Sequence, residues 1–146
     1  MTGARHGFSL IEVALALGIA SFCLLSVFSL LPLGLQTTRA SVEQNAASSL
    51  LGMVAGDLRV TPPGTTPSNQ FQLQIGTATT LYLAEDGSWT ATLQPQSRYL
   101  LTITYPANST GGRGATFASL TVSWPAGASL ANASGSATSF LALDRN

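Results

Sequence analysis

The sequence predicts an α+β fold: a long bent N-terminal α-helix packed on a C-terminal antiparallel β-meander. Three observations predict it. An almost unbroken apolar run extends from Phe8 to Leu35, a proline-free stretch rich in Ala and Leu follows at 39–58, and apolar and polar residues alternate after a proline-rich break at 61–70. A helix buries a stripe and a half-exposed sheet buries one face, so the second half of the helix can cover one side of the sheet.

The apolar run reads FSLIEVALALGIASFCLLSVFSLLPLGL, with no charge between Glu12 and Arg39. A bilayer core about 30 Å thick needs roughly 20 apolar helical residues, so residues 8–35 suffice for a transmembrane span. A cleaved secretory signal has an apolar region of about 7–15 residues before a small-residue cleavage site. Here the run continues past Ala14-Leu15-Ala16 and Gly18-Ile19-Ala20, which disfavours that reading. Pro32 and Gly34 interrupt the run. Proline removes one backbone hydrogen bond and bends a helix, so Pro32 is read as a kink within one helix over 8–60.

In the second half of that helix, Val42, Ala46, Leu50 and Met53 fall within a narrow arc and are expected to face the core, with Glu43 and Asp57 close beside it. Residues 61–70, TPPGTTPSNQ, end the helix and form a stiff connector. The remainder, 71–146, reads as a β-rich head. Phe71, Leu73 and Ile75 alternate with Gln72 and Gln74, the period of a half-buried strand. Leu81 and Leu83 precede Asp86-Gly87, a hairpin signal, and Trp89, Ala91 and Leu93 follow it. Tyr99 to Tyr105, Leu120 to Trp124 and Phe140 to Leu143 complete the expected strands.

Composition narrows the function. The chain has 146 residues, enough for one compact domain. Charged residues make up 8%, against roughly 25% in an average soluble domain. There is no lysine, and six basic residues balance six acids. A nucleic-acid partner, which calls for clustered Lys and Arg, is not expected. A surface of Ser, Thr, Gln, Asn and Gly also has little charge repulsion to hold copies apart. Cys23 is the single cysteine, so no intrachain disulfide forms, and in mid-span it reads as a small hydrophobe. His6 is the single histidine, which leaves no Cys/His zinc set and no triad that avoids the first residues of the chain. No catalytic residue, cofactor or metal is assigned. Glu85, Asp86 and Asp144 lack the ligand spacing that calcium requires and read as solvated turn carboxylates. Trp89 and Trp124 read as core, and the sequons at Asn108 and Asn132 are weak signals.

Glu12 is the residue that a plain anchor does not explain. A carboxylate in hydrocarbon costs about 2.5–3.5 kcal/mol on insertion scales and usually has a partner or a task. A shallow position near the interface, favoured by the helix N-terminus, is the competing explanation.

The residues before the span, Arg5-His6-Gly7-Phe8-Ser9-Leu10-Ile11-Glu12, resemble the processing site of type IV prepilins and type II secretion pseudopilins. The stretch ALALGIASFCLLSVFSLLPLGLQ is also similar to the pilin-like member of the Verru/Chthon cassette families. The resemblance covers roughly the first third of the chain. It implies that a membrane prepilin peptidase cuts between Gly7 and Phe8, so that 1–7 is a leader and Phe8 carries a methylated amine. It also implies that Glu12 pairs with the N-terminal ammonium at Phe8 of a neighbouring pilin-like subunit. A buried carboxylate and a buried ammonium are far less costly together than apart. The implied location is the inner membrane, single-pass among its lipids, with the head periplasmic and a surface fibre after assembly. The positive-inside count does not fix this orientation, because Arg5 on one side is matched by Arg39 on the other. Many pilins close a C-terminal loop with a disulfide, which Cys23 cannot do. The alternative function is a membrane-anchored periplasmic binding module that does not polymerise.

Overall fold

A computed structural model describes residues 7, 9–62, 66–106 and 115–143, with the side chain of residue 33 outside that description. The chain forms two compact units, Met1–Arg39 and Ala40–Asn146. One helix, α1 (Leu10–Val60), contributes to both. Ser9 opens it: the Glu12 amide donates to the Ser9 carbonyl at 3.0 Å and to Ser9 Oγ at 3.3 Å. Pro32 lies inside α1, where it can give no N–H to the carbonyl one turn earlier. Helical geometry continues on both sides of it. The helix stops at Val60, before Thr61-Pro62, because a residue preceding proline is pushed out of the α region.

The second unit joins the end of α1 to a five-stranded antiparallel sheet, so the α+β class is as expected. The strands are β1 (Thr79–Leu83), β2 (Trp89–Thr90), β3 (Tyr99–Thr104), β4 (Thr116–Trp124) and β5 (Gly135–Leu143). Their spatial order is β2-β1-β3-β4-β5, so β1 lies between β2 and β3 and pairs with both. Asp86-Gly87 makes the predicted turn between β1 and β2, with Gly87 at φ +83°. The Gly87 amide donates to Ala84 O, and Asp86 Oδ1 accepts from the Ser88 amide and hydroxyl. β4 and β5 run longer than their apolar cores suggested, in register from Thr116↔Leu143 to Trp124↔Gly135. At that last pair a Cβ on residue 135 would collide with the Trp124 indole, which only glycine avoids.

Register sorts the side chains into two faces. Leu81, Leu101, Val122 and Ala137 form one inward row, and Leu83 pairs with Tyr99 on the same side. On the outer face Thr80, Thr102, Thr121 and Thr138 lie side by side across four strands. The Thr121 and Thr138 hydroxyls are 3.2 Å apart.

Three expectations need correction, the first being the strand expected over Trp89, Ala91 and Leu93, which ends at Thr90 and leaves Leu93 52% exposed. The next is the buried face of α1. The arc of Val42, Ala46, Leu50 and Met53 does not face the sheet as a whole: Val42 is 57% and Met53 38% exposed. The buried face is Ala47, Leu50, Leu51, Val54, Asp57 and Leu58, roughly 80° further round at 3.6 residues per turn. That face carries Asp57 directly, and Glu43 beside it, because both carboxylates find hydrogen-bond donors there. The third correction concerns Phe71–Ile75, which forms no strand. Its backbone is satisfied locally instead. Asp57 accepts from the Gln70 and Phe71 amides at 3.1 and 3.0 Å, Ser68 Oγ accepts from the Leu73 amide, and Gln72 turns at φ 53°. The alternation still has its physical meaning, since Phe71 and Leu73 are fully buried in the core that α1 and the sheet share.

The head, residues 36–146, is expected to fold alone and to give a circular dichroism spectrum of mixed helix and strand. In that fragment Asp57→Ala strips two backbone amides of a charged acceptor and should cost about 3 kcal/mol in urea unfolding. The exposed Glu85→Ala should stay within about 0.5 kcal/mol of wild type.

Candidate functional site

The predicted site lies at the start of α1. Gly7 is exposed, and Phe8 falls outside the described residues, so its side chain and its relation to Glu12 are not placed. A Cβ built on Gly7 meets nothing within 4 Å, and its φ is not in the positive range. Nothing in the described fold requires a glycine at this position.

Glu12 is the third residue of α1, and its amide N–H donates a hydrogen bond to Ser9 Oγ. Ser9-Leu10-Ile11-Glu12 is therefore the S-x-x-E sequence of a capping box, of which the serine arm is formed. This role for Ser9 is absent from the reading of the motif as a processing site, although the S-x-x-E spacing before an apolar run is the signal for it. The cap explains why the helix begins here, and the helix dipole favours a carboxylate in its first turn. It leaves the Glu12 carboxylate itself without a hydrogen bond or ion pair among the described residues. Glu12, Ala16 and Ala20 follow at four-residue spacing and, with Val13 and Leu17, form a shallow depression along the exposed helix surface. Small residues in such a row let another helix approach closely.

Around that depression the apolar side chains of the first unit are bare. Ile11, Leu15, Phe22 and Leu25 are all more than 60% exposed. Among the described residues α1 is the one helix long and apolar enough to cross a membrane. Single-pass anchoring is consistent with it. Cys23 is an exposed free thiol on the same segment.

The head holds a second group of titratable side chains. Glu43 accepts from Arg98 Nη2 and from the Tyr99 hydroxyl, each at 2.6 Å, and Glu85 stands 3.9 Å from Arg98 Nη1. The Tyr99 hydroxyl bond, with help from Arg98, holds the Glu43 carboxyl below its ordinary range despite partial burial. Burial, and then the bond to Glu43, pushes Tyr99 up to about 12. These groups satisfy one another and tie α1 to β3. They present no nucleophile beside a free base. Asp86 is occupied by its own turn, and Asp144 lies outside the described residues. Trp89 donates its indole N–H to the Gln70 carbonyl at 2.7 Å. Trp124 meets Tyr99 edge-on at 6.3 Å. Both rings serve the core rather than a ligand platform.

No protein-family model, curated protein or solved structure matches the chain.

The pH dependence of head stability follows from the Glu43 cluster. A lowered carboxyl stabilises above its ordinary value near 4.5, and that contribution is lost as pH falls through the folded value. A tyrosine raised from 10.0 to about 12 stabilises fully below 10, and that contribution is lost as pH rises towards 12. Urea midpoints measured against pH should therefore show a plateau between limbs at both extremes. Glu43→Gln should lower the plateau and make the acid limb shallower, and Tyr99→Phe should flatten the alkaline limb.

Proposed function

We propose that the chain is a pilin-like structural subunit, cut by a prepilin peptidase between Gly7 and Phe8. It waits in the inner membrane with its head in the periplasm and then assembles with other pilin-like subunits into a type IV pilus or a secretion pseudopilus. The observation that carries this reading is Glu12. It is the one charged residue of α1 before Arg39, in the apolar first part of the helix, capped through its backbone, with no partner for its side chain among the described residues.

An anchor standing alone in lipid keeps that unpaired charge at a cost of about 2.5–3.5 kcal/mol wherever it enters hydrocarbon. A neighbour whose new N-terminus is the methylated amine of Phe8 removes the cost and fixes the axial register at once. A subunit displaced along the bundle would leave two unpaired charges in an apolar interior. The shallow alanine depression below Glu12 supports close helix–helix approach. Gly7 fits a requirement imposed from outside the fold, as recognition by a peptidase is. The reaction belongs to that peptidase, and this chain is its substrate rather than an enzyme.

Intact mass of the protein recovered from native membranes should correspond to a chain that starts at Phe8 and carries one methyl group. Retention of Met1, or a cut after Ala16 or Ala20, would sink the processing step.

Glu12→Leu separates a subunit from an anchor. Cleavage after Gly7 and the membrane level should be unchanged or improved, because an aliphatic residue inserts more readily. Recovery with other pilin-like subunits, or in sheared surface fibres, should be lost, since breaking one half of a buried ion pair costs about 3–5 kcal/mol. Equal recovery of mutant and wild type would remove the docking role. A wild type that never associates would favour the anchored binding module.

A further inference from the structure

The sheet has two edges, β2 and β5. β2 is two residues long and offers little backbone. β5 is nine residues long and contains neither a charge nor a proline, the usual devices that blunt an edge. Its register with β4 is unbroken by a bulge. Among the described residues its backbone makes no bond to any segment other than β4, so the outward N–H and C=O groups are unpaired.

A groove of about 550 Å³ lies along this edge. One wall is Ser136, Ala137, Thr138 and Ser139, four consecutive residues whose side chains alternate between the two sheet faces. Only the strand's edge can present all four to one space. The opposite wall is a stripe of α1, Gln44, Ser48, Gly52, Ala55 and Arg59, with the buried Leu51 at its inner margin. This stripe covers about 22 Å at 1.5 Å per residue, room for roughly six residues of extended chain at 3.3 Å each. Gly52 widens the middle, where a Cβ would meet nothing within 4 Å. Arg59 closes one end. It is the groove's one charged residue and makes no ion pair among the described residues.

We propose that this groove binds an extended polypeptide segment, which adds to β5 as a sixth strand and brings a carboxylate to Arg59. The unpaired row on β5 is complementary to another extended backbone, and main-chain bonds then supply affinity while the helix wall reads alternate side chains. The guanidinium selects the charge, since Arg and carboxylate form strong forked hydrogen bonds. This site is independent of Glu12 and of the subunit reading, because it lies wholly in the second unit.

The test is a random heptapeptide phage library panned on the full chain in lipid nanodiscs. Selected peptides should carry Asp or Glu towards one end and bind saturably in fluorescence anisotropy. Methylating alternate backbone nitrogens should abolish binding. Gly52→Phe fills the groove from a position with open space around it, and Ser48→Trp does so one turn earlier. Whichever keeps the wild-type melting temperature should weaken binding by about ten-fold or more, as loss of a central contact does. Arg59→Gln should weaken acid-bearing peptides by about ten-fold, the scale of one charged hydrogen bond, and leave their Gln counterparts unchanged. Failure to select any peptide above background overturns the proposal, as does equal binding by the filled-groove variants or by N-methylated peptides. Full-chain dimers that Gly52→Phe dissolves would assign the groove to a second copy and overturn it too.

Discussion

Asp57 sits on the face of α1 that is otherwise hydrocarbon, 7% exposed between Val54 and Leu58, and the head is organised around what answers it. A carboxylate in such a place is tolerable only when it is fully hydrogen-bonded. The Gln70 and Phe71 amides supply those bonds, which obliges the chain leaving the helix to return and pass directly over it. That return delivers Phe71 and Leu73 to the core and places the Gln70 carbonyl where the Trp89 indole reaches it. Glu43, fourteen positions earlier on the helix, makes the matching attachment to β3 through Arg98 and Tyr99. The helix is thus pinned to the rest of the head by two acids about 21 Å apart along its axis, at 1.5 Å per residue, with the apolar stripe between them.

That arrangement explains what could be read in the sequence and what could not. The helix, its end before Pro62, the Asp-Gly turn and the four longer strands were legible, because each depends on local chemistry: propensity, proline, left-handed glycine and period-two alternation. The helix's buried face was not. The observed face holds five apolar residues against four in the expected arc, but acids stand on it, and only the long-range partners of Asp57 and Glu43 make those carboxylates acceptable there. Phe71–Ile75 misled for a related reason. Alternation reports that side chains point in and out by turns, and a loop clamped by Asp57 and Ser68 does this as well as a strand. The starts of β4 and β5 were hidden because Thr, Ser, Ala and Gly carry little hydrophobic signal, although Thr116 and Ala137 are buried.

The candidate site at the start of α1 is a sequence motif, and the structure neither adds to nor takes from its proposed role. Its residues stand together in sequence, so no fold was needed to find them, and the structure adds a local cause for the helix start. Ser9 and Glu12 share one local spacing, that of a helix cap. The serine uses the Glu12 amide to begin the helix, while the carboxylate projects from the first turn with nothing in the described chain to meet it. The position that makes Glu12 a good helix-starting residue is also the one that leaves its charge on the surface of an apolar rod.

Charge is scarce in this protein, and the scarcity lends each charged residue weight. Of the acids in the described residues, Glu43 and Asp57 hold the head together, Asp86 shapes a turn, and Glu85 stands near Arg98. Glu12 is the one with no partner, and Arg59 is a cation in the same condition at the end of a groove. The outer sheet face answers to the same economy, with a row of threonines where charged side chains would ordinarily keep neighbours away. Among the described residues Glu12, Arg39 and Arg59 make no ion pair, and of these Glu12 alone stands within the apolar run. Glu12 and Arg59 lie in different units of the chain, so the docking proposed for the one and the strand addition proposed for the other stand on separate surfaces.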